Sequence, residues 1–239
     1  MEITKRQGEI LNGTVKDYIN LAQPISSEFL EKKHNFGISP ATIRIEMQKL
    51  TDLDYLTQPH TSAGRVPTDK GYRFYVDSLL KEREINFGRN KFFKEIYQTG
   101  KEIKDSLKLT KILTKKIAKF TSNLIISYFP EDEVIFTEGW GEVFEEPEFE
   151  SLDFVKDFTE MVENFEEDIK TFTIKNNELR IFIGEENPFS KLNDFSLIIS
   201  KSKFPKNKKG TLALLGPKRM DYDRNIGIIN SLTKLMTEI

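Results

Sequence analysis

Cysteine is absent from the 239-residue sequence, which removes disulfides, thiolate zinc sites and cysteine nucleophiles from consideration. Histidine occurs only twice, as His34 and His60, so imidazole-based metal binding and acid–base chemistry have little to draw on. No glycine-rich phosphate loop ending in Gly-Lys-Ser or Gly-Lys-Thr is present, and the glycines from Gly210 to Gly216 are too sparse to form one. No Ser–His–Asp arrangement or metal cluster can be assembled, so neither an enzymatic role nor a cofactor is expected. Long apolar runs are missing as well. The stretch NLIISYF at residues 123–129 is far too short to span a bilayer, and no membrane partner is expected. The opening residues MEITKRQGEI hold no apolar segment, which speaks against a signal peptide and for a cytoplasmic location. Nor is there a surplus of charge. The 36 Lys and Arg nearly balance the 38 Asp and Glu, which argues against a protein that coats nucleic acid by bulk charge.

The charge that is present is unevenly spread. Residues 1–80 are balanced, residues 88–119 are strongly basic, and residues 130–168 are strongly acidic, with Lys156 the only base. Five lysines follow within residues 201–209. Two readings stand: the blocks pair with each other inside a dimer, or they are solvated faces. The acidic block matches no EF-hand spacing, so a cation site is not expected there.

Residues 5–20 read as a helix with Ile10, Leu11, Val15, Tyr18 and Ile19 on one stripe. Pro24 stops it. Ser26 or Ser27 then caps a short second helix reaching about His34, and Gly37 supplies a positive-φ turn. Ser39-Pro40 opens a third helix, with serine at the N-cap and proline at the first helical position, where a missing N–H does no harm. On that helix Ile43, Met47 and Leu50 fall at i, i+4 and i+7 and form the buried face. The opposite face carries Ala41, Thr42, Arg44, Ile45, Gln48 and Lys49. Such a helix suits the major groove of DNA. Its N-terminus offers free N–H groups to phosphate. Arg44 and Gln48 can reach base edges bidentately, and Thr42 and Ile45 can touch thymine methyls. For Ile45, packing against a neighbouring element is an equally good reading.

Residues 55–59 and 66–67 read as two short extended segments around a polar tip at 60–65 containing Gly64, a wing-like hairpin whose Pro59 and Pro67 fit only at strand edges or ends. Arg65, placed at the tip, suits phosphate or minor-groove contact. His60, beside Thr61 and Ser62, reads either as a phosphate contact or as a turn residue. Thr68 caps another helix with Tyr72, Val76 and Leu79 on its inner side. The positive charge available to phosphates is then Lys5, Arg44, Lys49, Arg65, Lys70 and Arg73. Residues 90–120 read as one lysine-rich helical connector, with Ile96, Ile103, Leu107, Ile112, Leu113 and Ile117 as its apolar stripe. Short strands are expected at residues 124–129, 179–183, 195–200 and 211–215. An amphipathic acidic helix is expected at residues 151–170, with Leu152, Val155, Phe158, Val162 and Phe165 inward, and a last helix at residues 223–238. The fold class is therefore α+β. It divides into an N-terminal domain at residues 1–82, a connector at 83–120 that serves dimerisation, and a C-terminal domain at 121–239. Residues Gly184 to Pro188 (GEENP) read as a tight turn or as the lining of a ligand pocket.

Several runs resemble the heat-inducible transcription repressor family HrcA. They are KRQGEIL at residues 5–11, PISSEFLEKKHNFGISPATIR at 24–44, QPHTSAGRVPTDKGYRFYVDSLL at 58–80, IFIGEENPF at 181–189 and GTLALLGPKRMDYDR at 210–224. The resemblance implies a winged helix-turn-helix domain, a GAF-like domain with a dimerising insertion, and repression of chaperone operons through an inverted-repeat operator in double-stranded DNA. It also implies a chaperonin partner of the GroEL type. The DNA-facing set is then Ser39, Ala41, Thr42, Arg44, Ile45, Gln48, Lys49, His60, Thr61, Ser62, Arg65 and Lys70. Two departures stand out. Ile45-Glu46 replaces the family's usual Asn-Asp, and the chain is short, with the missing stretch near residues 129–134. The competing reading is a regulator that senses a small molecule in its C-terminal domain.

Overall fold

Local rules fix the first elements. Helix α1 (Lys5–Leu21) begins at Thr4, whose hydroxyl accepts from the Gln7 N–H while the Gln7 side chain accepts from the Thr4 N–H, a reciprocal cap. It ends at Ala22, which takes a left-handed conformation at φ 52°. Helix α2 (Ser27–Lys33) is capped by Ser26, whose hydroxyl accepts from the Phe29 N–H at 3.1 Å. Helix α3 (Pro40–Asp52) is capped by Ser39 with Pro40 in its first turn. The computed structural model describes residues 3–81, 91–172, 178–189, 193–204 and 208–235, which fall into two units, Met1–Arg83 and Glu84–Ile239.

In the first unit Ile10, Leu11, Val15, Leu30, Ile43 and Leu50 are wholly buried. Strands β1 (Leu56–Thr57) and β2 (Val66–Pro67) form an antiparallel pair in which Leu56 faces Pro67 and Thr57 faces Val66. Helix α4 (Asp69–Lys81) follows. As expected, the Thr68 hydroxyl accepts from the Gly71 N–H at 3.2 Å, and Tyr72 and Val76 are buried. A Cβ on Gly71 would lie 2.2 Å from the Tyr55 carbonyl oxygen, so the helix can approach the hairpin only because that side chain is missing. Asp17 of α1, 1% exposed, takes an ion pair from Lys33 and a 2.8 Å contact from His34, which ties α1 to the end of α2.

The second unit is a three-layer arrangement. Its sheet contains β3 (Leu124–Phe129), β4 (Val134–Glu138), β5 (Leu179–Ile183), β6 (Phe195–Lys203) and β7 (Lys209–Pro217), in the order β4-β3-β7-β6-β5 with every pair antiparallel. Alternate residues face opposite sides. Leu124, Ile126, Leu197, Ile199, Ala213 and Leu215 pack with Phe158, Met161, Val162 and Phe165 of α8 (Leu152–Asp168). On the other face, the Ser127 hydroxyl pairs with Thr114 of α6 (Ser106–Thr121) at 2.8 Å, and the Ser196 hydroxyl pairs with Tyr222 of α9 (Tyr222–Leu235) at 2.7 Å. Helix α5 (Lys91–Glu102) packs against α6 and α9, and a short α7 (Trp140–Val143) follows β4.

Several expectations are corrected here. The connector is two helices, not one. The chain breaks after Glu102, and the Asp105 carboxylate accepts from the Lys108 N–H at 2.7 Å to start α6. Both helices pack within the second unit, where Ile96, Leu113 and Ile117 are buried and Ile103, Leu107 and Ile112 only partly so. Leu152 is 68% exposed; six residues before Phe158, it lies off the stripe that faces the sheet. Strand β4 was not expected, because every residue along it is half-buried and no alternation marks it. At residues 129–134, where the resemblance puts the missing stretch, a four-residue turn joins β3 directly to β4, with Phe129 paired to Val134 and Glu133 at φ 53°. The expected start of the connector at residues 83–90 and the expected helix end at 236–238 lie outside the described residues.

Candidate nucleic-acid interface

The outward side of α3 is the polar, accessible surface that the sequence pattern requires. Ile43, Met47 and Leu50 are at most 3% exposed, whereas Ser39, Ala41, Arg44, Gln48 and Lys49 are exposed and Ile45 is 57% exposed. That exposure favours the reading of Ile45 as a free apolar contact over packing inside the unit. Thr42 is half-buried, and its hydroxyl pairs with that of Ser39 at 3.1 Å. The first turn of α2, the face of α3 and the loop between β1 and β2 enclose a groove of about 590 Å³, lined by Ser27, Glu28, Arg44, Gln48, Thr61 and Arg65 among others.

The groove walls are cross-linked. Arg44 pairs with Glu28 from α2. The Glu28 carboxyl is held below its ordinary range first by its own backbone N–H near the helix start, with burial opposing and the Arg44 guanidinium helping. The Arg65 Nη2 donates to Gln48 Oε1 at 2.9 Å and its Nε donates to Thr51 Oγ1 at 3.1 Å. Gln48 Nε2 in turn donates to Asp52 Oδ1 at 2.8 Å. The loop is held by Gln58, whose Nε2 donates to the carbonyls of Thr61 and Ala63 at 2.9 and 2.8 Å. His60, Thr61 and Ser62 are exposed at its apex, with His60 Nδ1 3.3 Å from the Ser62 hydroxyl.

Three expected placements change. Arg65 is at the root of the hairpin, not its tip. Its N–H donates to the Ile25 carbonyl at 2.8 Å and its carbonyl accepts from the Ile25 N–H at 2.9 Å. A Cβ on Gly64 would meet the Ile25 carbonyl oxygen at 2.3 Å, so the chain there runs flush against Ile25. Lys70 does not join the α3 face. Its ammonium donates to the Leu53 carbonyl at 2.7 Å, at the end of α3, and lies over the Tyr55 ring at 4.4 Å from the centroid, where exposed carbonyls draw a cation. Lys49 turns toward α1 and pairs at 3.1 Å with Glu46, which also accepts from Gln7. The Glu46 carboxyl is held below its ordinary range by Lys49 first, with Gln7 helping and burial opposing. Lys5 pairs with Glu9 at 3.9 Å and Arg73 with Asp77 at 3.5 Å.

Glu28, Thr51, Asp52 and Gln58 were not singled out from the sequence. Asp52 carried a signal, since it stands four residues beyond Gln48 where helix side chains meet. Glu28, Thr51 and Gln58 act through contacts that only the tertiary fold brings together. In the second unit the Gly184–Pro188 turn is closed by its own bonds. Glu186 accepts from the Ile183 N–H at 3.1 Å, and buried Asn187 accepts from the Phe189 N–H at 3.1 Å and reaches Met161 Sδ at 3.4 Å. Among the described residues no group of three or more His, Asp or Glu could hold a metal ion, and no helix is long and apolar enough to cross a membrane.

Comparison with known proteins bears on the whole chain. The heat-inducible transcription repressor HrcA of Clostridioides difficile (strain 630) is 29% identical over 336 aligned positions, covering 99% of this chain and 99% of the relative. The protein of the same name from Thermoanaerobacter sp. (strain X514) is 28% identical over 334 positions, covering 100% and 97%. Alignments of that length against 239 residues mean that both relatives carry segments with no counterpart here. A crystal structure of a hypothetical protein at 2.2 Å resolution superimposes with a TM-score of 0.80 at 20% identity, covering 99% of each chain, a likeness of fold. Residues 72–226 match the family model described as the HrcA protein C terminal domain, and on that match the chain belongs to the HrcA family.

Proposed function

We propose that this chain is a transcription repressor of heat-shock or chaperone operons that binds an inverted-repeat operator in double-stranded DNA as a homodimer. In this reading the first unit is a winged helix-turn-helix domain, with α3 as the recognition helix and the β1–β2 loop as the wing. The second unit is a reduced GAF-like domain which, with α5 and α6 ahead of its sheet, carries dimerisation. The single observation behind the reading is the split face of α3. Its apolar side is sealed in the core, while Arg44, Ile45 and Gln48 stand exposed beside a hairpin loop.

The roles follow from chemistry and position. Arg44 and Gln48 read base edges, and Ile45 touches a thymine methyl. Ser39, Ala41 and Thr42 form the N-terminal turn that approaches a phosphate, where backbone N–H groups and the helix dipole favour negative charge. His60, Thr61 and Ser62 meet the phosphate backbone from the loop. Lys49 and Lys70 add positive charge at the flanks. Two copies of α3 about 34 Å apart match half-sites one helical turn apart. A chaperonin of the GroEL type modulates the repressor, and the protein works in the cytoplasm without a cofactor. The relatives' name, heat-inducible transcription repressor, supports the regulatory part of this reading.

The test is an electrophoretic shift of an inverted-repeat duplex from upstream of chaperone genes, run against a scrambled duplex and repeated with chaperonin added. The expected result is retardation of the operator only, sharpened by chaperonin and weakened by Arg44→Ala. Equal affinity for both duplexes would sink the sequence-specific reading. Indifference to chaperonin would remove that partner alone.

A further inference from the structure

We propose that Arg65 is a positioning residue for Gln48. It fixes the glutamine amide so that one acceptor and one donor point outward, and it thereby selects an A·T base pair at one position of each half-site. The proposal rests on the DNA-binding reading above and goes further, because it assigns a base and changes the job of Arg65 from backbone clamp to orienting group.

The amide is held at both ends. A guanidinium can only donate and a carboxylate can only accept. Arg65 Nη2 at 2.9 Å must therefore face Gln48 Oε1, and Asp52 Oδ1 at 2.8 Å must face Gln48 Nε2. The amide cannot be turned over without placing N–H against guanidinium and oxygen against carboxylate. One lone pair on Oε1 and one N–H on Nε2 remain free. That pair matches the major-groove edge of adenine, which offers the N6 amino group as donor and N7 as acceptor. Guanine shows two acceptors there, O6 and N7, so the outward Oε1 would meet an acceptor.

The support for the amide is itself rigid. The Arg65 Nε donates to Thr51 Oγ1, which donates to the Met47 carbonyl at 3.0 Å, so the fork is moored to the backbone of α3. The Arg65 backbone is bonded in both directions to Ile25. A glutamine already held this way loses little rotamer freedom when it meets a base, whereas a free one loses much more. A planar fork can span Thr51 and Gln48 together; a lysine ammonium on the same backbone is a single point charge and cannot reproduce that geometry.

The experiment uses the full chain and a duplex pool with randomised positions. The preferred site is selected first, and the position whose preference disappears in Gln48→Ala is identified. Fluorescence-anisotropy competition then measures all four base pairs at that position. The parent should prefer A·T there by roughly tenfold. Arg65→Lys, which keeps the charge, should flatten the same preference while leaving the salt dependence of binding as in the parent. Thr51→Val, which removes the mooring and no charge, should flatten it in part. The double variant Gln48→Ala/Arg65→Lys should lose no more discrimination than Gln48→Ala alone. Two outcomes overturn the proposal: Arg65→Lys and Thr51→Val both keeping the parental preference, or a Gln48-dependent preference for G·C. A parent that enriches no sequence and binds no duplex is a different result, and it removes the DNA-binding reading itself.

Discussion

Arg219 in the second unit and Arg65 in the first carry the same planar fork in opposite surroundings. Arg219 is 9% exposed and meets two carboxylates, Glu146 and Glu148, with Nε 2.8 Å from Glu148 Oε1. Burial alone would lower its basicity. The hydrogen bonds and charge of Glu148, together with the charge of Glu146, reverse that and raise it. Arg65 is half-exposed and bonds to neutral partners, Gln48 and Thr51, on the open side of α3. The buried fork pins the chain after β7 to the segment following α7. The exposed fork orients a side chain that has polar groups left to offer. The difference shows how one residue type serves as a rivet where water is excluded and as an aligning group where a partner can enter.

The sharpest way to break this comparison is to remove both forks and compare the cost. Arg219→Ala leaves two half-buried carboxylates facing each other, and a loss of about 3 kcal/mol is expected, read by urea unfolding monitored on the single tryptophan, Trp140. Arg65→Ala should cost no more than about 1 kcal/mol, since it gives up two hydrogen bonds at a wet surface. Equal losses would mean that Arg65 is a rivet too.

Gly64→Ala comes next. Its Cβ would strike the Ile25 carbonyl at 2.3 Å, parting the Arg65–Ile25 pairing, at a cost of about 2 kcal/mol seen as a lower Tm. Binding of the operator should fall with it, because the root that carries the Arg65 fork shifts. Ser39→Ala removes the cap of α3 and should cost about 1 kcal/mol, measured by chemical denaturation. The smallest effect on stability belongs to Ile45→Asn. With the side chain 57% exposed, the change should stay within about 0.5 kcal/mol. Its effect should appear instead in the selected operator sequence. A large loss of stability there would place Ile45 in an interface and not on a reading face.

What could be read in advance follows the range of the interactions concerned. Ser39-Pro40 announced the start of α3, and Ile43, Met47 and Leu50 announced its buried side, because caps and helical periodicity act within a few residues. The bounds of β3 and β5 were legible for the same reason, as short apolar runs between turn residues. Strand β4 was not, since an edge strand that is half-buried throughout carries no alternation. Leu152 looked like core and is exposed, because on α8 it lies off the stripe that Phe158, Val162 and Phe165 turn toward the sheet.

The amino-acid order alone determined helix α3, its cap, its two faces and the family likeness, since these depend on neighbours along the chain. The tertiary structure decided which groups that helix has at its disposal. Arg65 stands 17 residues from Gln48, and Arg219 stands 73 from Glu146. Hydrogen bonds reach only about 3 Å, so no local rule could say which of many polar side chains would arrive at each end of the Gln48 amide. Packing of the hairpin against Ile25 brought Arg65 there.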